Sequence, residues 1–143
     1  MKNPDAIVIG AGVVGACTAL SLVNAGLKVL VIDRGPVASG TTGAGEGNIL
    51  VSDKEPSAEL TLAVRSRDAW FELNTDIGGG FELEPKGGVV VSRSEKGIAN
   101  LKKLSQLQKS NGIEVVELDA AGIRKIEPLI AESVEYAVLY PGD

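Results

Sequence analysis

Gly10, Gly12 and Gly15 stand in the order G-x-G-x-x-G, with Asp33 following further along the chain. These residue types at this spacing suit the diphosphate of a dinucleotide. Glycine at 10 permits a tight turn, glycine at 12 lets phosphate approach bare backbone, and glycine at 15 lets a helix lie close to a sheet. The amides near Val13 and Val14, at the start of such a helix, then meet the phosphate charge without any lysine. Asp33 is suited to accept both hydroxyls of an adenosine ribose and to repel a 2′-phosphate, which disfavours NADP; Arg34 beside it keeps that alternative open.

Such a motif carries weight only between a strand and a helix. Residues 6–9 form a short apolar run, and after the glycine turn Val13, Ala16, Cys17, Leu20 and Val23 recur at three- and four-residue steps. Gly26 is the expected helix stop, and residues 27–32 form a second buried strand ending at Asp33. The expected unit is βαβ. The bland alternative is a structural βαβ whose glycines and Asp33 serve only turns.

A second glycine-rich stretch separates the dinucleotides. Residues 35–48 contain no apolar run of element length and read as a long structured loop or a loop leading into a short helix, unusual enough in a compact domain to indicate function. Ser39, Thr41 and Thr42 can offer hydroxyls to phosphate or ribityl oxygens. Gly43, Ala44, Gly45 and Gly47 can bring bare amides close to a flat ring, where larger side chains would collide. A nicotinamide domain has less need of this backbone, so the loop favours a flavin; a flexible solvent loop is the alternative.

Composition removes other chemistries. The 143 residues contain no histidine and one cysteine, which excludes His-dependent triads, an intrachain disulfide and thiolate metal sites if the chain acts alone. No metal site is expected. Fourteen basic against 19 acidic residues give a net charge of -5, a poor balance for a nucleic-acid partner. The apolar run that opens the chain is too short and too glycine-rich to span a bilayer, and only Lys2 precedes it as a positive flank, so neither a transmembrane segment nor a secretion signal is expected. The expected location is cytoplasmic, with peripheral membrane attachment open for a full-length protein.

Beyond the loop, residues 56–74 read as an amphipathic helix with Leu60, Ala63, Val64, Trp70 and Phe71 on its apolar side. The glycines at 78–80 suggest a boundary, giving an FAD-binding part over 1–78 and a partial substrate-domain segment over 79–143. In the latter, residues 81–83 and 88–91 read as strands joined by a turn, Ile98, Leu101, Leu104 and Leu107 mark a charged helix, and residues 113–118, 120–126 and 134–140 read as strand, helix and strand. Tyr136 and Tyr140 are expected on a sheet face, Trp70 and Phe71 in the core, and Cys17 as a buried small hydrophobe.

The whole order "IVIGAGVVG", "VLVIDRG", "ASGTTGAGEGNI", "GGVVVS" and "KIEPLI" resembles the FAD-dependent amino acid and amine oxidoreductases, the family of D-amino acid oxidases and dehydrogenases, glycine oxidase and sarcosine oxidase. The resemblance runs over essentially all of the chain. It implies an α/β fold with a Rossmann-like FAD-binding βαβ unit and part of a second α+β substrate domain. Gly10 to Gly15 would hold the FAD diphosphate, Asp33 and Arg34 would sit at the adenosine end, and Ser39, Gly40, Thr41 and Thr42 would continue along the cofactor. Ala44, Gly45, Gly47 and Asn48 would approach the isoalloxazine; Gly87 and Gly88 would open a strand into the substrate domain. Glu46 departs from the small or apolar residue common at this place.

The activity implied is hydride transfer from the α-carbon of an amine or amino acid to flavin N5, giving an imine that water hydrolyses. The partner implied is thus a small-molecule amine or amino acid. Arg65, Arg67, Arg93 and Arg124 are the cations available to clamp a substrate carboxylate, and none has a local pattern that singles it out. No catalytic residue is assigned. Family members continue well beyond this length, so the chain is expected to be an amino-terminal, truncated part with little activity alone, completed by a missing carboxy-terminal part or a second subunit. An NAD-dependent dehydrogenase and a non-catalytic subunit of the same fold are the competing readings.

Overall fold

A computed structural model describes residues 3–143; Lys2, weighed above, lies outside them. The chain forms two compact units, one ending at Gly47 and one running from Asn48 to Asp143.

In the first unit, β1 (Ala6–Ile9) lies parallel to β2 (Val29–Ile32), in the register Ala6 to Val29 through Ile9 to Ile32. Helix α1 (Val13–Asn24) makes the crossover, and the four-residue α2 (Thr41–Ala44) follows β2. Gly26, at φ 87°, ends α1 as expected: its amide donates to Val23 and the next amide, of Leu27, to Leu22. Strand β2 starts later than residue 27, because the Lys28 amide is spent on the Asp5 carboxylate at 2.9 Å.

The helix face that meets the sheet is not the expected one. Gly15, Ala19 and Leu22 are its better covered positions, whereas Ala16, Cys17, Leu20 and Val23 are exposed. The reason is steric. A Cβ on Gly15 would run into the Gly10 carbonyl oxygen and reach 3.4 Å from Val8 Cγ1, so α1 approaches β1 through its smallest residues. Cys17 falls between Gly15 and Ala19, off that line, and is exposed rather than buried.

The second unit is built on β5 (Tyr136–Tyr140), the middle strand of an antiparallel sheet ordered β3 (Gly88–Val91), β5, β4 (Val116–Asp119). Gly88 pairs with Tyr140 on one side and Asp119 with Tyr136 on the other. Strand alternation sends Val138 and Tyr140 to one face of β5 and Ala137 to the opposite one. The first face packs with Val51, Leu60, Leu101, Ile113 and Val115; the second with Ile123 and Val134.

Helices α3 (Ala58–Asp76), α4 (Glu95–Ser110) and α5 (Ala120–Ile126) complete this unit. Each starts on a side-chain cap that satisfies an otherwise orphaned amide: Ser57 accepts from Glu59, Ser94 from Gly97, and Asp119 from Gly122. Because Leu60, Ala63 and Val64 of α3 pack into the core around Tyr140, α3 belongs to the second unit. The compact division falls at Gly47 and Asn48.

Three expected strands are also shifted, shorter or absent, the one expected over 113–118 beginning only at Val116, as β4. Residues 81–83 form none, since Leu83 bonds back to Phe81 at 2.8 Å and Lys86 to Glu84 at 2.9 Å, and the Phe81 ring instead meets Trp70 edge-on at 5.4 Å. Val134 bonds back to Ala131, so β5 begins at Tyr136. On α4 the three-residue spacing of leucines drifts off the helical period: Ser105 and Gln108 are buried and Leu107 is exposed.

Candidate functional site

The site lies in the first unit, at the carboxyl ends of two parallel strands. Gly10 turns the chain out of β1 at φ 110°, while its amide still donates to Ile32 at 2.8 Å. That backbone is open to glycine and strained for other residues. Gly12 then caps α1 with no side-chain oxygen, and no acidic residue stands in the first turn. The first turn of α1 thus contributes no anion of its own.

Asp33 ends β2 and reaches across to the turn. Its Oδ2 accepts from the Ala11 amide at 2.7 Å and its Oδ1 from the Gly35 amide at 2.9 Å. Those two bonds, the Ala11 bond foremost, hold its carboxyl below the ordinary aspartate pKa. Arg34, next to it, is exposed.

The second glycine stretch folds back over the first. Ala38, in the left-handed region at φ 58°, donates its amide to the Ala11 carbonyl at 3.1 Å. Thr42 Oγ1 accepts from the Val13 amide at 3.0 Å, and a Cβ on Gly12 would lie 2.8 Å from that oxygen. Gly43 has no room for a side chain against the Ala38 carbonyl, and a Cβ on Gly35 would lie 3.2 Å from Ser39 Oγ. The structure therefore gathers Gly10, Gly12, Val13, Val14, Gly15, Asp33 and Thr42 around one turn. Ser39, Gly40, Thr41, Ala44, Gly45, Gly47 and Asn48 lie along the exposed stretch that leads from it.

Thr42 gives the fit test for a diphosphate. Its hydroxyl accepts from the Val13 amide and has its own proton to offer, so a phosphate oxygen would find a hydroxyl donor beside the first turn of α1, whose cap residue Gly12 brings no side chain of its own. These residues suit an FAD diphosphate.

Other candidate residues have structural work. Arg67 pairs with Asp68 through Nε at 3.1 Å and Nη2 at 2.9 Å; Arg124 donates to the carbonyls of Ala120 and Glu132, each at 2.6 Å. Arg65 and Arg93 are exposed. Tyr136 donates to Glu117 at 3.0 Å and lies under the Lys102 ammonium, 4.7 Å from its ring centre; Tyr140 is fully buried and donates to Gln108 at 2.7 Å. Among the described residues no cluster of carboxylates and Cys17 could hold a metal, and no helix is long and apolar enough to cross a membrane.

The model of the FAD dependent oxidoreductase family (DAO) matches residues 5–143. The chain belongs to this family. FAD is its cofactor. Subunit A1 of the anaerobic glycerol-3-phosphate dehydrogenase of Haloferax volcanii is 31% identical, over 98% of this chain and 24% of that protein. Glycine oxidase of Bacillus licheniformis is 29% identical, over 89% of this chain and 35% of that protein. The crystal structure of glycine oxidase from Bacillus cereus superposes with a TM-score of 0.84 at 27% identity, covering 97% of this chain and 39% of that one. The chain thus spans between 24% and 39% of the length of these relatives.

Proposed function

We propose that the chain supplies the adenosine and diphosphate cradle, and the first part of the substrate-facing unit, of an FAD-dependent enzyme that oxidises the C–N bond of an amino acid or amine. The observation that carries this reading is the fold-back of the second glycine stretch onto the first, through Thr42 to Val13 and Ala38 to Ala11. A plain nicotinamide domain has no use for that second layer, which weighs against NAD as the carrier.

In this reading the amides at the start of α1 and the Thr42 hydroxyl bind the diphosphate. Asp33 holds the turn from behind and offers its remaining lone pairs to the ribose, while Gly45, Gly47 and Asn48 lie along the flavin. FAD, when bound, accepts the hydride from the substrate α-carbon. These residues bind and orient; no residue of this chain is given the proton transfer or the substrate carboxylate. Glycine oxidase among the relatives supports an amine substrate. Oxidation of a C–OH bond in a glycerol phosphate is the second reading, favoured by the 31% identity to the glycerol-3-phosphate dehydrogenase subunit.

The test is gentle purification of the polypeptide, and of any longer protein that contains it, followed by identification of the chromophore released on denaturation. Released FAD, together with anaerobic reduction of the bound flavin in the native protein by glycine, sarcosine or a D-amino acid but not by glycerol 3-phosphate, supports the amine reading. Reduction by glycerol 3-phosphate alone moves the assignment to the second reading, and a protein that takes up no added FAD overturns both.

A further inference from the structure

Residues 51–54 have no helix or strand to hold them, yet Val51 is 1% exposed and Ser52 is buried. Side chains do the holding. Gln108 of α4, with no exposed surface, places its amide nitrogen 3.3 Å from the Val51 carbonyl, 3.1 Å from that of Ser52 and 2.7 Å from that of Lys54. Its other atom, Oε1, accepts from the Tyr140 hydroxyl at 2.7 Å. From the opposite side, Asp143 Oδ1 accepts from the Val51 amide at 2.8 Å. Val51 is thus gripped at both backbone polar groups.

Helix packing does not need an amide at 108. The other buried positions of α4 are filled by Leu101 and Ser105, and an apolar side chain would pack at 108 without the cost of burying polar atoms. What an apolar residue cannot do is supply the two amide protons that the Ser52 and Lys54 carbonyls take, beside a Val51 carbonyl that also accepts from the Lys54 amide. In the sequence only Ile49 and Leu50 separate Asn48, the last residue of the flavin-facing stretch in the proposed function, from Val51.

We infer that Gln108 is a positioning residue: by clamping residues 51–54, with Tyr140 orienting its amide, it fixes the downstream end of the glycine stretch that faces the flavin. The inference rests on the FAD reading given above. Burial, and secondarily the Asp143 carboxylate, push the Tyr140 phenol up, so it stays a donor across the neutral range.

The test uses the FAD-loaded protein, with the longer polypeptide where one contains this chain, carrying Gln108→Leu, Gln108→Glu or Tyr140→Phe. Expected is an altered flavin absorption envelope and reduction potential, with FAD affinity about tenfold weaker in Gln108→Leu. Tyr140→Phe shifts them in the same direction by less, because the amide keeps its loop carbonyls. Gln108→Glu places a carboxylate against three carbonyls, and its flavin spectrum returns toward wild type on acidification, when the protonated acid can donate. If the folded variants lose thermal stability but keep the wild-type spectrum, potential and FAD affinity, Gln108 is a core residue only and the inference falls. Should Gln108→Leu not fold, Tyr140→Phe decides in the same way. Wild-type protein that binds no FAD overturns the functional reading and this inference with it.

Discussion

The Asp33 carboxylate and the Ala11 amide, in contact at 2.7 Å, join the end of β2 to the glycine turn that follows β1. The aspartate therefore shapes the phosphate-binding turn before any ribose meets it. The bonds from Ala11 and then Gly35 lower its pKa, so the bonded carboxylate is fully formed above the ordinary aspartate range and is lost as pH falls through the depressed value. FAD release measured against pH should show an acid step in the wild type. In Asp33→Asn, which keeps an acceptor but not the charge, that step should vanish and FAD should bind about tenfold more weakly at neutral pH. An unchanged acid step in Asp33→Asn would assign it to another group.

Gly15 and Gly47 separate two reasons for a glycine. At 15 a Cβ would collide with the Gly10 carbonyl, a backbone atom that can yield only by moving the turn. Gly15→Ala should cost about 1–3 kcal/mol by urea denaturation and lose FAD as well. At 47 nothing lies within 4 Å of the added carbon. Gly47→Ala should stay within about 0.5 kcal/mol of wild type. If its backbone faces the flavin, FAD affinity falls while stability holds.

Legibility in the sequence followed the kind of force involved. The βαβ unit could be read because its glycines, strand lengths and closing aspartate are local requirements, and α5 and β3 fell where local pattern placed them. The phase of α1 could not be read from hydrophobicity, because the closest approach is set by Gly15 and Ala19, small residues that a hydrophobic count passes over. The compact division at Gly47 and Asn48 could not be read locally, because Leu60 and Val64 find their core partners far along the chain, on β5. Gln108 was missed for the same reason. Its one local sign was a polar residue seven positions after Leu101, on the same helix face, and that sign gains meaning only when residues 51–54 are seen beside it.

Tyr136 should make the second unit sensitive to alkali. Burial, then its bond to the Glu117 carboxylate, raises its pKa from 10.0 to about 12. A group whose pKa is raised by folding contributes its full stability below the unfolded value and loses it as pH rises through the folded one. Stability should therefore decline between pH 10.0 and about 12. Tyrosinate absorbance and urea midpoints recorded together across that range check this, and in Tyr136→Phe the part of the decline due to this group should disappear.

Ile123 and Leu129 give the sharpest contrast in packing. Ile123 is fully buried among Val134 and Ala137 on the face of β5 opposite to Tyr140, whereas Leu129 is 93% exposed. Truncating Ile123 removes apolar area and leaves a cavity beneath the three-stranded sheet, against Val134 and Ala137. Ile123→Ala should cost about 2–5 kcal/mol. Leu129→Ala, which removes no buried contact, should stay within about 0.5 kcal/mol. Urea midpoints of the two variants measure both. Equal losses would mean that Leu129 is covered in the protein as it exists in solution, and its burial would then be the quantity to locate.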